Sequence, residues 1–322
     1  MLMRRALLVG INDYADAPIL RSCVRDAGDL ARLLSRNEDG SPNFKCEVLT
    51  SAGTSLITRA LVRQKLHEHF DSFDGDLLFY FSGHGAATSL GGHLVTFDSS
   101  RYEPGVPMRD LIQVANRSNA RNILILLDCC YAGLAGSDEE VIGMLENEAT
   151  LREGVTILAA AKPRQKAREV GGHGVFTRLV LAALNGGAAG VRGQVSAAAI
   201  YAYAEAVLGA LDQRPLYKSH AASLPPVRCC RPAVSDDMLR QLPELFPERT
   251  SAFQMAPTYE RTHVSAVKEH VALFQIFKEL QVARLLRCNT GRDMYDIALA
   301  SETVLLTPLG QFYWELAKAG QI

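Results

Sequence analysis

The chain alternates between two hydrophobic periods. Runs of consecutive large apolar residues at Arg4 to Gly10, Cys46 to Thr50, Asp76 to Ser82, His93 to Phe97, Asn122 to Asp128 and Val155 to Ala161 predict strands. Between them, apolar residues three and four apart predict helices. These are Val24 to Asn37, with Ala27, Leu30, Ala31 and Leu34 on one face; Ser55 to Phe70, opened by Thr54 or Ser55 as cap; and Met108 to Asn116. Phe176 to Leu184 and the alanine-rich Val195 to Leu208 predict two further helices, and Leu224 to Cys229 reads as a last strand that its prolines place at an edge. Strands alternating with helices to about residue 230 imply an α/β fold, a mainly parallel sheet with helices on both faces.

The pattern changes after Arg231-Pro232. Asp236 to Phe246 and Val264 to Leu280 predict helices, Met294 to Leu306 has room for two short strands, and Thr307 with Pro308 opens a closing helix. The expected organisation is a domain over 1–230 and a small helical or winged-helix-like accessory domain over 231–322.

Composition narrows the class. With 48% hydrophobic and 21% charged residues the chain is an ordinary folded protein, and a net charge of -1 gives no general attraction to nucleic acid or anionic membrane. The tail from Arg231 carries ten Lys and Arg against eleven Asp and Glu, so it lacks the footprint that phosphate binding needs, and protein docking suits it better than DNA. Seven cysteines without regular spacing form a poor disulfide framework. The amino-terminal apolar run is short, and no stretch approaches the roughly 20 apolar residues of a membrane span. A cytoplasmic protein with free thiols is expected.

The chemistry concentrates where two strands end. Asn122-Ile-Leu-Ile-Leu-Leu-Asp128 runs without alternation, as a strand buried on both faces does, and stops at Asp128-Cys129-Cys130-Tyr131-Ala132-Gly133. Asp76 to Ser82 leads into Gly83-His84-Gly85, which reads as a tight turn holding a histidine. Parallel strands present functional groups at their carboxyl ends, so a thiol and an imidazole can meet there. The thiolate is the attacking species and the imidazole its proton acceptor, with the N–H groups of Gly85 and Cys130 available to a developing oxyanion.

Phe79-Tyr-Phe-Ser-Gly-His84-Gly followed by Leu127-Asp-Cys-Cys130-Tyr-Ala-Gly resembles the histidine and cysteine motifs of the caspase-like cysteine peptidases, the bacterial metacaspase-like branch in particular. The histidine stands 46 residues before Cys130, against the caspase spacing of about 50. Leu7-Leu-Val-Gly-Ile-Asn, Cys23-Val-Arg-Asp26-Ala and Gly174-Val-Phe-Thr177 support the resemblance, which covers roughly residues 4 to 230. It implies Cys130 as nucleophile, His84 as general base, Gly85 as second oxyanion donor, and Cys129 pointing into the sheet. Asp26, Cys23 and Ser82 match positions lining the metacaspase specificity pocket, and Asp128 stands two residues before the nucleophile. Such an acidic pocket selects arginine or lysine, with arginine favoured slightly by its planar fork.

Arg152, Arg164, Lys166 and Arg168 lie in loops such a pocket would accept, as processing sites for the enzyme itself or an upstream protease. Substrates are expected to be proteins, and an activating protease or sensor protein is a further expected partner. No cofactor is expected; calcium binding occurs among metacaspases, but no acidic cluster maps to such a site. His93 and His173 receive no role. The resemblance implies a regulated protease in bacterial stress, cell death or antiphage defence. The alternative is an idle caspase-like scaffold that recruits a partner through its carboxyl-terminal domain, against which the intact cysteine and histidine motifs count.

Overall fold

The computed structural model describes residues 3–53, 55–88, 91–131, 151–160, 173–208, 215–220, 225–288, 290 and 292–322, with the backbone alone at Cys130 and Tyr131. The chain divides into two compact units, 1–189 with 194–230, and 190–193 with 231–322.

The first unit opens with β1 (Arg4–Gly10), α1 (Cys23–Leu34), β2 (Lys45–Thr50), α2 (Arg59–Phe70), β3 (Asp76–Thr88), β4 (Gly91–Leu94), β5 (Val106–Pro107) and α3 (Met108–Arg117). It continues through β6 (Asn122–Tyr131), β7 (Val155–Ala159), α4 (Val175–Ala182), β8 (Gln194–Val195), α5 (Ala197–Leu208), β9 (Leu216–His220) and β10 (Arg228–Cys229). The sheet runs β2-β1-β3-β6-β7-β9, parallel from β2 to β7, with β9 antiparallel at its edge.

Alternation along the central strands divides the core. Leu7, Val9, Phe79, Phe81, Ile125 and Leu127 pack under α2 and α3. Ala6, Leu8, Leu78, Tyr80, Leu124 and Leu126 pack under α1, α4 and α5. Burial on both faces explains the unbroken apolar runs of these strands.

Local features differ from the sequence expectation. Helix α2 begins at Arg59 rather than Ser55, because Thr58 supplies the cap, its side chain accepting from Leu61 N at 3.3 Å. Strand β3 does not stop at Ser82. It runs to Thr88 through the histidine motif, since β6 pairs with it as far as Gly85 and β4 folds back along its other edge from Gly85 to Thr88. Strand β10 pairs with β8 in a separate ribbon, and the sheet edge is taken by β9, which alternation did not reveal. No helix among the described residues is long and apolar enough to cross a membrane.

The second unit has its own core, with Leu242, Phe246, Phe277, Ile297, Val304 and Trp314 all buried. It contains α6 (Asp236–Arg240), α7 (Leu242–Leu245), β11 (Ala252–Gln254), α8 (Lys268–Val282), β12 (Leu286–Cys288), α9 (Met294–Leu299), β13 (Thr303–Leu306) and α10 (Pro308–Lys318). The strands form one antiparallel sheet in the order β11-β13-β12. The pair of strands expected over 294–306 is therefore one helix and one strand. Asp293 caps that helix by accepting from Asp296 N at 3.0 Å, and its buried residues Met294, Ile297 and Ala298 follow the helical period.

Candidate active site

The site forms where the carboxyl halves of β3 and β6 run side by side. Their register sets Ser82 opposite Asp128, Gly83 opposite Cys129, His84 opposite Cys130 and Gly85 opposite Tyr131. The expected nucleophile and base are thus direct cross-strand neighbours in the backbone. Cys129 is 1% exposed and packs in the core under α2 and α3.

His84 is oriented from outside its own strand. Its Nε2 lies 2.7 Å from the carbonyl oxygen of Pro18; a carbonyl only accepts, so Nε2 carries the proton and Nδ1 is left as the acceptor in the neutral ring. His84 N donates to Tyr14 Oη at 2.9 Å, and Tyr14 donates to Ile11 O at 2.9 Å while its ring stacks obliquely on the imidazole, 4.8 Å between centroids. Gly83 makes this possible, since a Cβ there would stand 2.6 Å from Tyr14 Oη. Burial raises the Tyr14 hydroxyl above its ordinary range, so it stays protonated and serves as donor. Gly85 lies in both ladders, opposite Tyr131 on β6 and Leu94 on β4.

Beside this pair lies an acidic cluster. Asp26 on α1 is fully buried; Ser82 Oγ donates to its Oδ2 at 3.4 Å, Gly174 N to the same oxygen at 3.2 Å, and His173 Nδ1 to Oδ1 at 2.6 Å. Asp128 Oδ2 accepts from Thr177 N at 3.1 Å and Thr177 Oγ1 at 2.5 Å, and Thr177 Oγ1 is also bonded to Tyr80 Oη at 2.6 Å. Burial pushes the Asp128 carboxyl up to about 6, against the Thr177 hydrogen bond and with a further rise from neighbouring Asp26. Burial also raises Asp26, opposed first by the His173 bond and then by that from Gly174. Cys23 lies in the same cluster, its thiol pushed by burial up to about 12 against a hydrogen bond with Ser82, which leaves it unreactive at neutral pH.

Of the residues singled out by sequence, Asp26, Ser82, Cys23 and Asp128 therefore cluster in space, on the strands and helix that flank the His84 and Cys130 backbone. Arg152 lies elsewhere, before the amino end of β7, where its guanidinium donates to the carbonyls of Ala115, Ala120 and Glu153. Arg164, Lys166 and Arg168 fall outside the described residues. Sequence reasoning missed Tyr14, the Pro18 carbonyl, His173 and the bonding role of Thr177. Only Thr177 carried a signal, in the run Gly174-Val-Phe-Thr. Among the described residues, no three His, Cys, Asp or Glu side chains gather as metal ligands.

Comparison with known proteins agrees with the architecture. A family model described as the caspase domain matches residues 3–224. A crystal structure of a protein from Geobacter sulfurreducens is similar in fold, with a TM-score of 0.51 and 16% identity over 69% of this chain and 94% of that one. No curated protein sequence matches.

Proposed function

The chain belongs to the caspase family of cysteine peptidases, and from that premise we propose that it is a metacaspase-like endopeptidase that cleaves proteins after arginine, or lysine, with Cys130 and His84 as catalytic dyad. The observation that carries this reading is the register of β3 and β6, in which His84 and Cys130 are cross-strand neighbours while Pro18 O engages His84 Nε2. A base held by a third group beside a nucleophile is the arrangement that acyl transfer needs.

In the proposed cycle Nδ1 of His84 accepts the Cys130 thiol proton and the thiolate attacks the scissile carbonyl carbon. The N–H groups of Gly85 and Cys130 receive the oxyanion. His84 returns the proton to the leaving amine, and water activated by the same ring hydrolyses the thioester and regenerates the thiol. Asp26 and Asp128, with Ser82 and Cys23 beside them, hold the substrate cation, and two adjacent carboxylates favour a guanidinium.

We further propose that the activity is regulated and serves stress responses, cell death or antiphage defence, with the second unit recruiting protein partners; the support is family membership and a second unit that has a core of its own. Processing at Arg152, Arg164, Lys166 or Arg168 belongs to this proposal. Cleavage at Arg152 requires its three carbonyl bonds to break first. Turnover of matched peptides ending in arginine, lysine or aspartate tests the core reading, with Cys130→Ala and His84→Ala as controls. Release after arginine that both substitutions abolish is expected; release only after aspartate, or release that survives Cys130→Ala, overturns it.

A further inference from the structure

Asp26 belongs to the proposed cation pocket, yet none of its surface is exposed. Among the described residues, His173 and Gly174 cover it together with Ser82. Gly174 is wedged between the two acids: a Cβ built on it would stand 2.5 Å from Asp128 Oδ2 and 3.4 Å from Asp26 Oδ2. The dipeptide thus presents two N–H donors, His173 Nδ1 to one oxygen of Asp26 and Gly174 N to the other. A guanidinium laid on a carboxylate offers the same fork. If Asp26 is to meet a substrate cation, a donor already seated on it has to leave.

Gly174 is poorly placed to do so, because it is the residue from which α4 starts and its neighbour Thr177 is bonded twice to Asp128. The His173 side chain is free of such constraint, and a second carboxylate lies within its reach. His173 Nε2 is 3.4 Å from Asp29 Oδ2, one turn along α1, and Asp29 is in turn engaged by Arg25 Nε at 3.4 Å and Arg32 Nη2 at 2.7 Å. The ring thus bridges the two carboxylates, and a tilt that releases Asp26 leaves it held by Asp29. We propose that His173 is an internal competitor for the specificity pocket, bridging Asp26 and Asp29 in the free protein and kept by Asp29 alone when a substrate arginine enters. This inference rests on the arginine-directed reading above and adds to it the residue that sets the threshold for substrate binding.

A competitor and a mere positioning residue behave oppositely on removal. Loss of a competitor strengthens cation binding, whereas loss of a positioning residue leaves Asp26 buried without its partner and weakens it. The probe is agmatine, a decarboxylated arginine, titrated calorimetrically into the full chain. His173→Ala is expected to bind it about tenfold more tightly, the worth of one charge-assisted hydrogen bond, while His173→Gln, which keeps one donor, stays near wild type. Asp29→Asn is expected to weaken binding in the wild-type background and to have no effect in His173→Ala, a coupling that a purely structural histidine does not produce. In turnover the gain is expected in KM with kcat unchanged.

Equal or weaker agmatine binding by His173→Ala, no binding by either protein, or an Asp29→Asn effect that is the same in both backgrounds overturns the proposal. The two readings fail separately. A chain that binds agmatine more tightly as His173→Ala but cleaves no arginine peptide keeps this inference in its pocket-binding form and loses the peptidase reading. One that cleaves arginine peptides with KM and agmatine affinity untouched by His173→Ala does the reverse.

Discussion

Asp128 combines a half-buried carboxyl, a donor pair from Thr177 and a second acid nearby, and its acidity reports on all three. Its folded value of about 6 lies above the ordinary 3.8, so the native state holds the proton more tightly than the unfolded chain. Stability from this group is therefore fully present below about pH 4 and is lost as pH rises to about 6. Across that window the stability of Asp128→Asn relative to wild type should improve by about 2–3 kcal/mol, measured by urea unfolding at pH 4 and pH 7. A difference that does not change with pH would contradict the assigned environment. The same titration governs the proposed pocket, because only the ionised carboxylate attracts a cation. Agmatine affinity should fall as pH drops through about 6 in wild type, and Asp128→Asn should flatten that dependence.

Residues differed in how far the sequence revealed them. The cross-strand placement of Cys130 and His84 was legible because each motif follows directly on an unbroken apolar run, and the two runs pair as neighbouring strands. Pro18 contributes a backbone carbonyl to His84, and a carbonyl leaves no mark in a sequence. His173 carries no sequence signal for a role, since its partners Asp26 and Asp29 lie 147 and 144 positions away.

At the scale of elements, β3 and the start of α4 determine the geometry. Continuation of β3 to Thr88 carries His84 inside a paired strand, so its position is fixed on two sides by β6 and β4. The sequence suggested a turn there because glycines usually mark one; here Gly83 instead leaves room for Tyr14. Gly83→Ala would drive a Cβ to 2.6 Å from Tyr14 Oη and 2.9 Å from the Phe81 ring. It should cost about 1–3 kcal/mol of stability, the usual penalty for overpacking, and displace His84, lowering kcat more than it raises KM. Helix α4 has no side-chain cap of its own, and Asp128 serves in its place by accepting from Thr177 N. Thr177→Val keeps the shape but removes a hydroxyl bonded to both Asp128 and Tyr80. Unfolding by denaturant should show a loss of about 1–3 kcal/mol, as for buried polar groups deprived of a partner; an unchanged midpoint would remove the network from the list of stabilising features.

For the molecule as a whole, the alternation of strands and helices through residue 230 makes the α/β sheet readable in the sequence, because strands buried on both faces leave long apolar runs. Edges were harder. Strand β9 is half-exposed and short, and β10 pairs outside the sheet, so neither leaves a strong period. In the second unit, the buried Met294, Ile297 and Ala298 could have been recognised as helical spacing; a short window hid it. Each unit has its own buried core. Scanning calorimetry should therefore resolve two transitions, and a chain ending at Cys230 should keep the first. A single transition lost on truncation would show one cooperative structure instead.

The central claim is that Cys130 attacks a carbonyl while an acidic pocket holds the preceding arginine. Its most direct measurement is covalent labelling by a pair of otherwise identical peptide acyloxymethyl ketones, one ending in arginine and one in aspartate, read by peptide-level mass spectrometry. A thiolate trap of this kind needs both the nucleophile and the pocket, but no knowledge of the natural substrate. The arginyl reagent should label Cys130 alone, with no adduct on Cys129, and the label should disappear in His84→Ala. Labelling by the aspartyl reagent in preference, or an adduct on any cysteine other than Cys130, would contradict it.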